Sequence, residues 1–375
     1  MELLDTLQLS ARRYGRLARG ALLHDQPVYA HFGITHRCDI TCRMCGIWKY
    51  GNEDEELGLP QIARMADVLQ ELGVAQLAIG GGEPFTRRDL AEVVALFKSR
   101  NLSVRVVTNA MNVDEKRIRE VADAGLDAVS ISLDSLNKQR FGWICMDPDA
   151  WEKVVTNMVR FGEALAGRGS PLVMNTVVSK ANLLELPELV QFADQLGFFI
   201  SLIPVELAED PRDRSNKFIT HQPKLELSQE ELAQLDEIYD RVIQLKAGGA
   251  PILSTTAYLM ASRRYFKTGA FPLPCDAGRL YFSVNPAGMM TICHRGQDKK
   301  SMLDADVVSY FRSELYQQEA HAEASACEGC VRPCWIDTSF MFKTMQGFFE
   351  GLELTLQARQ PRARMSLVQA LACGQ

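Results

Sequence analysis

Short β-rich runs alternate with helical patterns between residues 28 and 247, and this alternation constrains the fold more than any other feature of the sequence. The β-rich runs lie at 29–35, 76–80, 103–108, 128–133, 172–178 and 199–203. The helical patterns between them lie near 60–73, 88–100, 114–125, 148–166 and 185–197. Strands that alternate with helices of this length are joined by right-handed βαβ crossovers, which place the strands in one parallel sheet.

The predicted fold class is α/β, with a partial (β/α)6 TIM-like barrel over residues 28–247. Several of its helical patterns close on a glycine, at Gly73, Gly125 and Gly197, which supplies a left-handed C-cap. In such a barrel the functional residues gather at the carboxyl ends of the strands. An open doubly wound sheet is the alternative because it shows the same alternation, and the motifs described below favour the barrel.

The segments outside the alternation predict the rest of the organisation. Residues 1–27 predict an amphipathic N-terminal helix, and the polar, proline-bearing segment 205–227 predicts a long loop before a helix at 229–247. Residues 248–337 are irregular and cysteine-rich, which indicates a small extension. The remainder, 338–375, predicts one helix at roughly 338–357 and then a loose end.

The predicted C-terminal helix is amphipathic. Its apolar face carries Phe342, Met345, Phe349 and Leu352. We expect this face to pack against the barrel, and docking onto a membrane surface is the less favoured alternative.

The charge balance and the lack of long apolar runs exclude two classes of protein. The 375 residues carry 41 Lys and Arg against 47 Asp and Glu, a net charge of −6, so we expect no role on nucleic acid through phosphate neutralisation. No uncharged apolar run reaches the roughly 18 residues of a membrane-spanning helix. The N-terminus lacks the apolar core and cleavage site of a secretion signal, so the sequence predicts a cytoplasmic protein.

The ten cysteines fall into two groups that predict two metal sites. One group is Cys38, Cys42 and Cys45, and the other is Cys275, Cys293, Cys327, Cys330 and Cys334. Disulfides are rare in the cytoplasm, so this spacing does not indicate a disulfide framework. Cys145 and Cys373 stand apart and are interpreted as a buried thiol and a residue of the tail.

The first group forms a C-x3-C-x2-C loop just after the first predicted strand. Three thiolates on one loop can hold three irons of a [4Fe–4S] cube and leave the fourth iron open to a small molecule. A structural zinc site, which needs four ligands, is the alternative, and His36 would complete it.

This loop resembles the C-x3-C-x-Φ-C motif of the radical S-adenosylmethionine (radical SAM) superfamily, with Met44 in the apolar position Φ. A second matching motif, Gly81, Gly82, Glu83 and Pro84, follows the second predicted strand. The resemblance implies that the open iron chelates SAM and that the second motif holds the SAM amino group. It also implies cleavage of SAM to a 5′-deoxyadenosyl radical that abstracts a hydrogen atom from the substrate.

Polar residues at other strand ends match the family more weakly. They are Asn109, Ser132, Asp134 and Asn175. By resemblance these residues contact the SAM carboxylate, the ribose hydroxyls and the adenine, and Asn109 and Ser132 are the preferred candidates. The alternative for each is that it caps a turn.

The second group resembles the twitch and SPASM extensions of radical SAM enzymes, which carry auxiliary iron–sulfur clusters. Cys275 is followed by twelve residues, Gly288, four residues and Cys293, and a C-x2-C-x3-C run ends the group. Its five cysteines are too few for two fully ligated cubes, so the resemblance implies a twitch-type extension with one auxiliary [4Fe–4S] cluster. The preferred ligands are Cys275, Cys293, Cys327 and Cys330, with Cys334 as a spare or a replacement. A zinc ribbon is the alternative.

The substrate is expected between the barrel mouth and the extension. His294 and Arg295 follow Cys293 directly, so His294 is a candidate to take a proton from a substrate radical and Arg295 to bind an anionic group or tune the cluster. A surface turn or a hydrogen bond to cluster sulfur is the alternative for both.

The preferred function is a radical SAM oxidoreductase that acts on a small metabolite, with the auxiliary cluster as electron acceptor. Its expected partners are a small-molecule substrate and an electron donor such as flavodoxin or ferredoxin. One alternative is a maturase of a ribosomally made peptide, against which stands the short segment before the first strand. Another is a non-catalytic zinc or iron–sulfur protein that senses metal or redox state.

Overall fold

The computed structural model describes residues 26–51, 56–168, 171–208, 217–271, 273–294, 296–327, 329–358 and 364–374. The helix predicted at 1–27 lies outside these residues except for its last two positions. Arg295 and the side chain of Cys334 also lie outside them.

Six parallel strands build the half of the molecule that the alternation predicts. They are β1 (Tyr29–Thr35), β2 (Gln76–Gly81), β3 (Ser103–Thr108), β4 (Ala128–Ser132), β5 (Leu172–Val178) and β6 (Phe199–Pro204). Each bound lies within one residue of its predicted position. The strands lie side by side in chain order, and β6 ends the sheet, so the barrel does not close. The predicted partial barrel is confirmed.

Helices cover the outer face of this sheet. They are α1 (Leu59–Leu72), α2 (Leu90–Ser99), α3 (Glu115–Asp123), α4 (Lys138–Cys145), α5 (Ala150–Ala164), α6 (Leu186–Leu196) and α7 (Gln229–Ala247). In α1 the apolar residues Ile62, Met65 and Leu69 recur at helical spacing and are fully buried. The helix ends at Gly73, whose φ of 92° only glycine adopts without strain.

Helix α4 was not expected from the sequence. Its eight residues have no strong apolar period and include Gly142 near the middle, so pattern alone does not predict a helix. The Asn137 side chain caps its first turn by accepting a hydrogen bond from the Arg140 amide at 2.8 Å.

The extension is far more regular than the sequence predicts. It contains α8 (Thr256–Thr268), β7 (Tyr281–Val284), β8 (Met289–Thr291), β9 (Asp298–Ser301), α9 (Val307–Arg312) and α10 (Glu314–Ala326). Strand β7 pairs in parallel with β1, so the extension continues the barrel sheet in the order β6-β5-β4-β3-β2-β1-β7-β8-β9. The strands of the extension have only three or four residues, too short for a clear period.

The C-terminal part differs from the prediction of one helix. It forms α11 (Pro333–Lys343), α12 (Met345–Ala358) and α13 (Leu367–Ala372). The chain is extended at Thr344, with φ −125° and ψ 145°, so α11 and α12 do not share one helical face.

The prediction that the apolar face of this region packs against the barrel is therefore wrong for most of its members. Met345, Phe349 and Leu352 are 70%, 59% and 47% exposed, and α12 instead buries Leu354 against Val173 and Phe199. In the described part of the chain, no helix has both the length and the apolar character needed to cross a membrane.

Candidate active site

The three cysteines of the first group lie on one loop at the carboxyl end of β1. Cys38, Cys42 and Cys45 are all partly buried and form no disulfide. Two hydrogen bonds hold the loop, one from the Cys45 amide to the Cys42 carbonyl at 3.2 Å and one from the Trp48 indole to the Cys45 carbonyl at 2.9 Å. The prediction of a thiol-bearing loop at a strand end is consistent with this geometry.

Burial dominates the chemistry of these thiols. Desolvation raises the pKa of Cys38 to about 12 and that of Cys45 to about 11. Without a bound metal both groups are therefore protonated, and binding of iron must release their protons. The side-chain Nδ2 atom of Asn109 lies 3.8 Å from the Cys38 sulfur, within reach of a weak N–H···S hydrogen bond. Three thiols in eight residues suit a [4Fe–4S] cube with an open fourth iron.

Among the described residues, no three or more His, Cys, Asp or Glu side chains converge on one metal-ion position. A cube does not require such convergence because each thiolate binds a different iron.

The glycines of the second motif are fixed by close contact with the start of the cysteine loop. A Cβ at Gly81 would lie 2.2 Å from the Thr35 carbonyl oxygen, and one at Gly82 would lie 2.0 Å from the Arg37 carbonyl oxygen. The amides of Gly82 and Glu83 donate to these two carbonyls, each at 2.7 Å. Only glycine fits such an approach, so the motif locks the end of β2 onto the cysteine loop.

We call the contact of Gly81 and Gly82 with the carbonyls of Thr35 and Arg37 the glycine junction. Glu83 is buried at its centre. Its carboxylate accepts hydrogen bonds from the Phe85 amide at 2.9 Å, the Thr108 hydroxyl at 2.8 Å and the Asn109 amide at 2.7 Å. Burial, reinforced by the nearby charge of Asp39, raises its pKa to about 7. A carboxylate offers about four acceptor positions, so it can still accept from an ammonium group. Such a group would favour the charged form and lower the pKa again.

A set of ion pairs behind the motif was not expected from the sequence. Glu56 accepts from the Nε and Nη2 atoms of Arg37, both at 3.0 Å, and pairs with Arg87 at 3.7 Å. It also accepts a hydrogen bond from Thr35. Glu56 ends the acidic run 53–56, which is typical of a solvated surface, so nothing in the sequence marks it as buried.

The other strand-end candidates lie on neighbouring strands of the same edge. Ser132 on β4 pairs in register with Asn175 on β5, and both are partly exposed. Asp134 is buried, which raises its pKa to about 7, and it accepts from the Val177 amide at 2.7 Å. This contact joins the end of β4 to β5 across 43 residues of chain, so it is not a local turn cap. Met44 is partly buried and packs at the edge of the main core.

Helix α4 supports the cysteine loop from the side. The Arg43 amide donates to the Ile144 carbonyl and its Nε atom to the Trp143 carbonyl, both at 2.9 Å. Its guanidinium also lies 4.6 Å from the centre of the Trp143 ring. Cys145 at the end of α4 is buried beside Cys42, and a hydrogen bond between them raises the pKa of Cys145. Because α4 was not predicted, the sequence did not indicate this contact.

The second cysteine group gathers around a small core of the extension. Cys275 and Cys330 pack against the same apolar cluster, whose buried members are Tyr258, Ala261, Phe271, Val331 and Ile336. Burial raises the pKa of Cys275, and the proximity of Cys327 raises it further. Cys293 packs at the edge of the main core. The thiol of Cys275 therefore lies near those of Cys327 and Cys330, which come from a distant segment of the chain, and thiolates are the usual ligands of an iron–sulfur cube.

A third polar group lies between the two cysteine groups. The Arg332 Nε atom donates to the Nε2 atom of His294 at 2.8 Å, and its guanidinium lies 5.2 Å from the centre of the Phe218 ring. Arg332 also pairs weakly with Glu206 at 3.9 Å. Desolvation, together with Arg332 and His31, lowers the pKa of His294 well below its usual value. His294 is therefore neutral, and its Nε2 atom is occupied by Arg332.

Arg332 and His31 were not predicted. Arg332 lies in the C-x2-C-x3-C run between two cysteines, and His31 faces the barrel interior from β1, where the pattern reads as an ordinary strand.

The comparisons with known proteins agree with this geometry. Residues 32–193 match the family model of the radical SAM superfamily. A probable GTP 3′,8-cyclase of Sulfurisphaera tokodaii is 32% identical over 184 residues, 47% of this chain and 56% of that protein. A PqqA peptide cyclase of Gluconobacter oxydans is 24% identical over 289 residues, 76% of this chain and 74% of that protein.

Among solved structures, Streptococcus suis SuiB bound to the precursor peptide SuiA aligns with a TM-score of 0.61 and 15% identity. The alignment covers 84% of this chain and 71% of that chain, and at this identity it shows a shared fold. The chain spans about half the length of several curated relatives that it matches, between 43% and 56%.

These findings correct one expectation. A small-molecule substrate is contradicted, because relatives of this chain are named PqqA peptide cyclases and SuiB was solved with a precursor peptide. The cysteine loop, the glycine junction and the family match agree with one another, and residues 32–193 are similar in sequence to a radical SAM domain.

Proposed function

We propose that this chain is a radical SAM enzyme that modifies a peptide. The observation that carries the proposal is the length of the similarity to the PqqA peptide cyclase of Gluconobacter oxydans. The alignment with this relative is 289 residues long, whereas only 193 residues of this chain lie at or before the end of the family match. The similarity therefore includes part of the chain beyond the family match, and not the common SAM-binding half alone.

The residues of the barrel mouth have separate tasks in this proposal. Cys38, Cys42 and Cys45 hold a [4Fe–4S] cluster, which supplies the electron for SAM cleavage when bound. Glu83 accepts from the SAM ammonium group, and Glu56 keeps the two loops in register. Asn109, Ser132, Asp134, Asn175 and Met44 remain the proposed contacts to the rest of SAM.

The peptide is proposed to lie where the barrel mouth meets the extension, beside Arg332. This side chain is about one third exposed, at 29%, and offers a planar set of donors next to the Phe218 ring. The neutral His294 beside it can accept a proton once Arg332 turns toward a substrate. Arg295 is proposed to contribute a second positive charge.

The extension is proposed to hold one auxiliary [4Fe–4S] cluster on Cys275, Cys293, Cys327 and Cys330, with Cys334 as the spare. In this proposal the SAM barrel spans 28–247, and the cluster domain spans 248–337. Four protein ligands leave no open iron, which suits the cluster to accept an electron from the substrate and makes the net reaction an oxidation.

A deuterium-transfer assay tests the peptide proposal. Cells of the encoding organism are grown in deuterated medium, and their extract is divided into a peptide fraction and a peptide-free metabolite fraction. Each fraction is incubated with the reconstituted protein, dithionite and unlabelled SAM. We expect deuterium in 5′-deoxyadenosine with the peptide fraction, and we expect its loss when that fraction is first digested with proteinase K. Mass spectrometry of 5′-deoxyadenosine provides the measurement.

Deuterium transfer from the peptide-free fraction alone would overturn the proposal. An Arg332→Gln variant locates the site, because it should lose deuterium transfer while it retains both clusters and SAM binding. Arg64→Gln is its matched control, since Arg64 is an arginine that also donates one side-chain hydrogen bond, to the exposed carbonyl of Leu303 outside the proposed site.

Glu83→Gln is expected to weaken SAM binding by about 1.5–3 kcal/mol, the range for a hydrogen bond to a charged group. The change removes the negative charge that faces the SAM ammonium group. It also places an amide N–H against that of Asn109, so the free energy of unfolding should fall by about 1–3 kcal/mol. Calorimetry on protein of verified iron content measures the SAM affinity. Glu92→Gln, on the exposed face of α2, should change neither quantity. Unchanged SAM affinity in Glu83→Gln would remove Glu83 from the SAM site.

A further inference from the structure

The hydroxyl group of Tyr281 lies buried between Cys275 and a serine of α11. Its oxygen is 3.0 Å from the Cys275 sulfur and 3.1 Å from the Ser339 hydroxyl oxygen. The Ser339 oxygen in turn accepts from the Asp276 amide at 2.9 Å. Tyr281 and Ser339 are both fully buried, so water does not compete for these contacts.

The backbone at Tyr281 is held by a neighbouring strand and by a turn. Tyr281 begins β7 and pairs in register with Tyr29 of β1, so the ring is attached to the main sheet of the barrel. Its carbonyl accepts from the Gly278 amide at 2.7 Å. A hydroxyl on such a strand is held at a fixed distance from the sulfur, and this makes it a preorganised donor.

We propose that Tyr281 is a positioning residue for the auxiliary cluster, whose hydroxyl donates a hydrogen bond to the Cys275 thiolate and raises the reduction potential of the cluster. The inference rests on the auxiliary cluster of the proposed function. Hydrogen bonds to cluster sulfurs tune the potential because they withdraw negative charge from the ligand and stabilise the reduced cluster.

The directions of the hydrogen bonds follow from the chemistry of the four groups. An iron-bound thiolate carries no proton, so the Tyr281 hydroxyl must donate to Cys275. The single hydroxyl hydrogen of Tyr281 is then used, and Ser339 must be the donor in its contact with Tyr281. The Asp276 amide can only donate, so it donates to Ser339. The resulting chain runs in one direction, from a backbone amide to the sulfur, and each bond polarises the next.

Tyr281→Phe tests the proposal in a background where Cys38, Cys42 and Cys45 are Ala, so that only the auxiliary cluster contributes. We expect unchanged iron content, because phenylalanine keeps the ring and removes only the hydroxyl. We expect a more negative midpoint potential in a redox titration followed by electron paramagnetic resonance. Ser339→Ala should shift the potential in the same direction by a smaller amount, because the tyrosine then loses only its orienting partner.

Tyr316→Phe is the matched control. Tyr316 is equally buried but packs against Tyr310 and Phe311, so its substitution should leave the potential unchanged. A parental background without iron would overturn the auxiliary cluster and this inference together. Normal iron with an unchanged potential in Tyr281→Phe would overturn this inference alone. If Tyr281→Phe holds no iron, the potential of Ser339→Ala decides, and an unchanged value there rejects the proposal.

Discussion

Replacing Cys38, Cys42 and Cys45 together by Ala is expected to remove about four irons per chain and to abolish 5′-deoxyadenosine formation. The three thiols are the iron ligands proposed for this loop, and no other group of the chain is proposed to bind SAM to iron. The loop itself should stay folded, because Arg43 binds two carbonyls of α4 without help from the thiols. Iron analysis and chromatography of the products under dithionite provide the measurements.

Cys373→Ala is the control for this triple variant. Its sulfur donates to the Gln369 carbonyl within α13, outside both cysteine groups, so its loss should change neither iron content nor SAM cleavage. A triple variant that still forms 5′-deoxyadenosine would show that the SAM-cleaving cluster is held elsewhere.

The barrel could be predicted from the sequence because its signals are local. Each of the six strands is a short apolar run bounded by turn residues, and several helices end on a glycine that must adopt a positive φ, such as Gly73 and Gly197. The signals for the site are also local, since the three thiols of the cysteine loop and the Glu83 carboxylate each follow a strand end within about ten residues. Local patterns of this kind keep their meaning without knowledge of distant contacts.

The contacts that support the site could not be predicted, because they join distant residues. Glu56 belongs to an acidic run that would be expected at the surface, but its side chain is buried and forms ion pairs with Arg37 and Arg87. Arg332 and His294 are 38 residues apart and come into contact only in the folded extension. The pairing of β7 with β1 also joins segments more than 240 residues apart. It could not be predicted, because a strand of four residues is too short to show which strand it pairs with or in which register.

The substrate could not be predicted for a related physical reason. A substrate is recognised by side chains from several loops, and the fold alone does not specify them. The sequence alone favoured a small molecule, whereas relatives of this chain are named peptide cyclases. The contact of Arg332 with the Phe218 ring, on which the proposed peptide site depends, is not visible in the sequence.

The Cys275→Ala/Cys327→Ala variant is expected to lose about half of the roughly eight irons of the reconstituted protein, one cube of two. Cleavage of SAM should persist, because the first cysteine loop and Glu83 directly follow β1 and β2 and do not depend on these thiols. Deuterium transfer from the peptide fraction can also persist, whereas formation of the oxidised product should fail because the electron acceptor is lost. Iron analysis, 5′-deoxyadenosine assays and mass spectrometry of the peptide separate these effects.

The wild-type metal content is the first check on this second prediction. About twelve irons would mean two auxiliary cubes, as in a full SPASM arrangement, and zinc in place of the second cube would reject the electron-acceptor role. Cys334→Ala then identifies the ligand set. Normal iron in this variant would mark Cys334 as the spare thiol, whereas loss of about four irons would make it a ligand in place of one of the preferred four. Because Cys334 lies in the first turn of α11, its substitution by a good helix former should not itself unfold the helix.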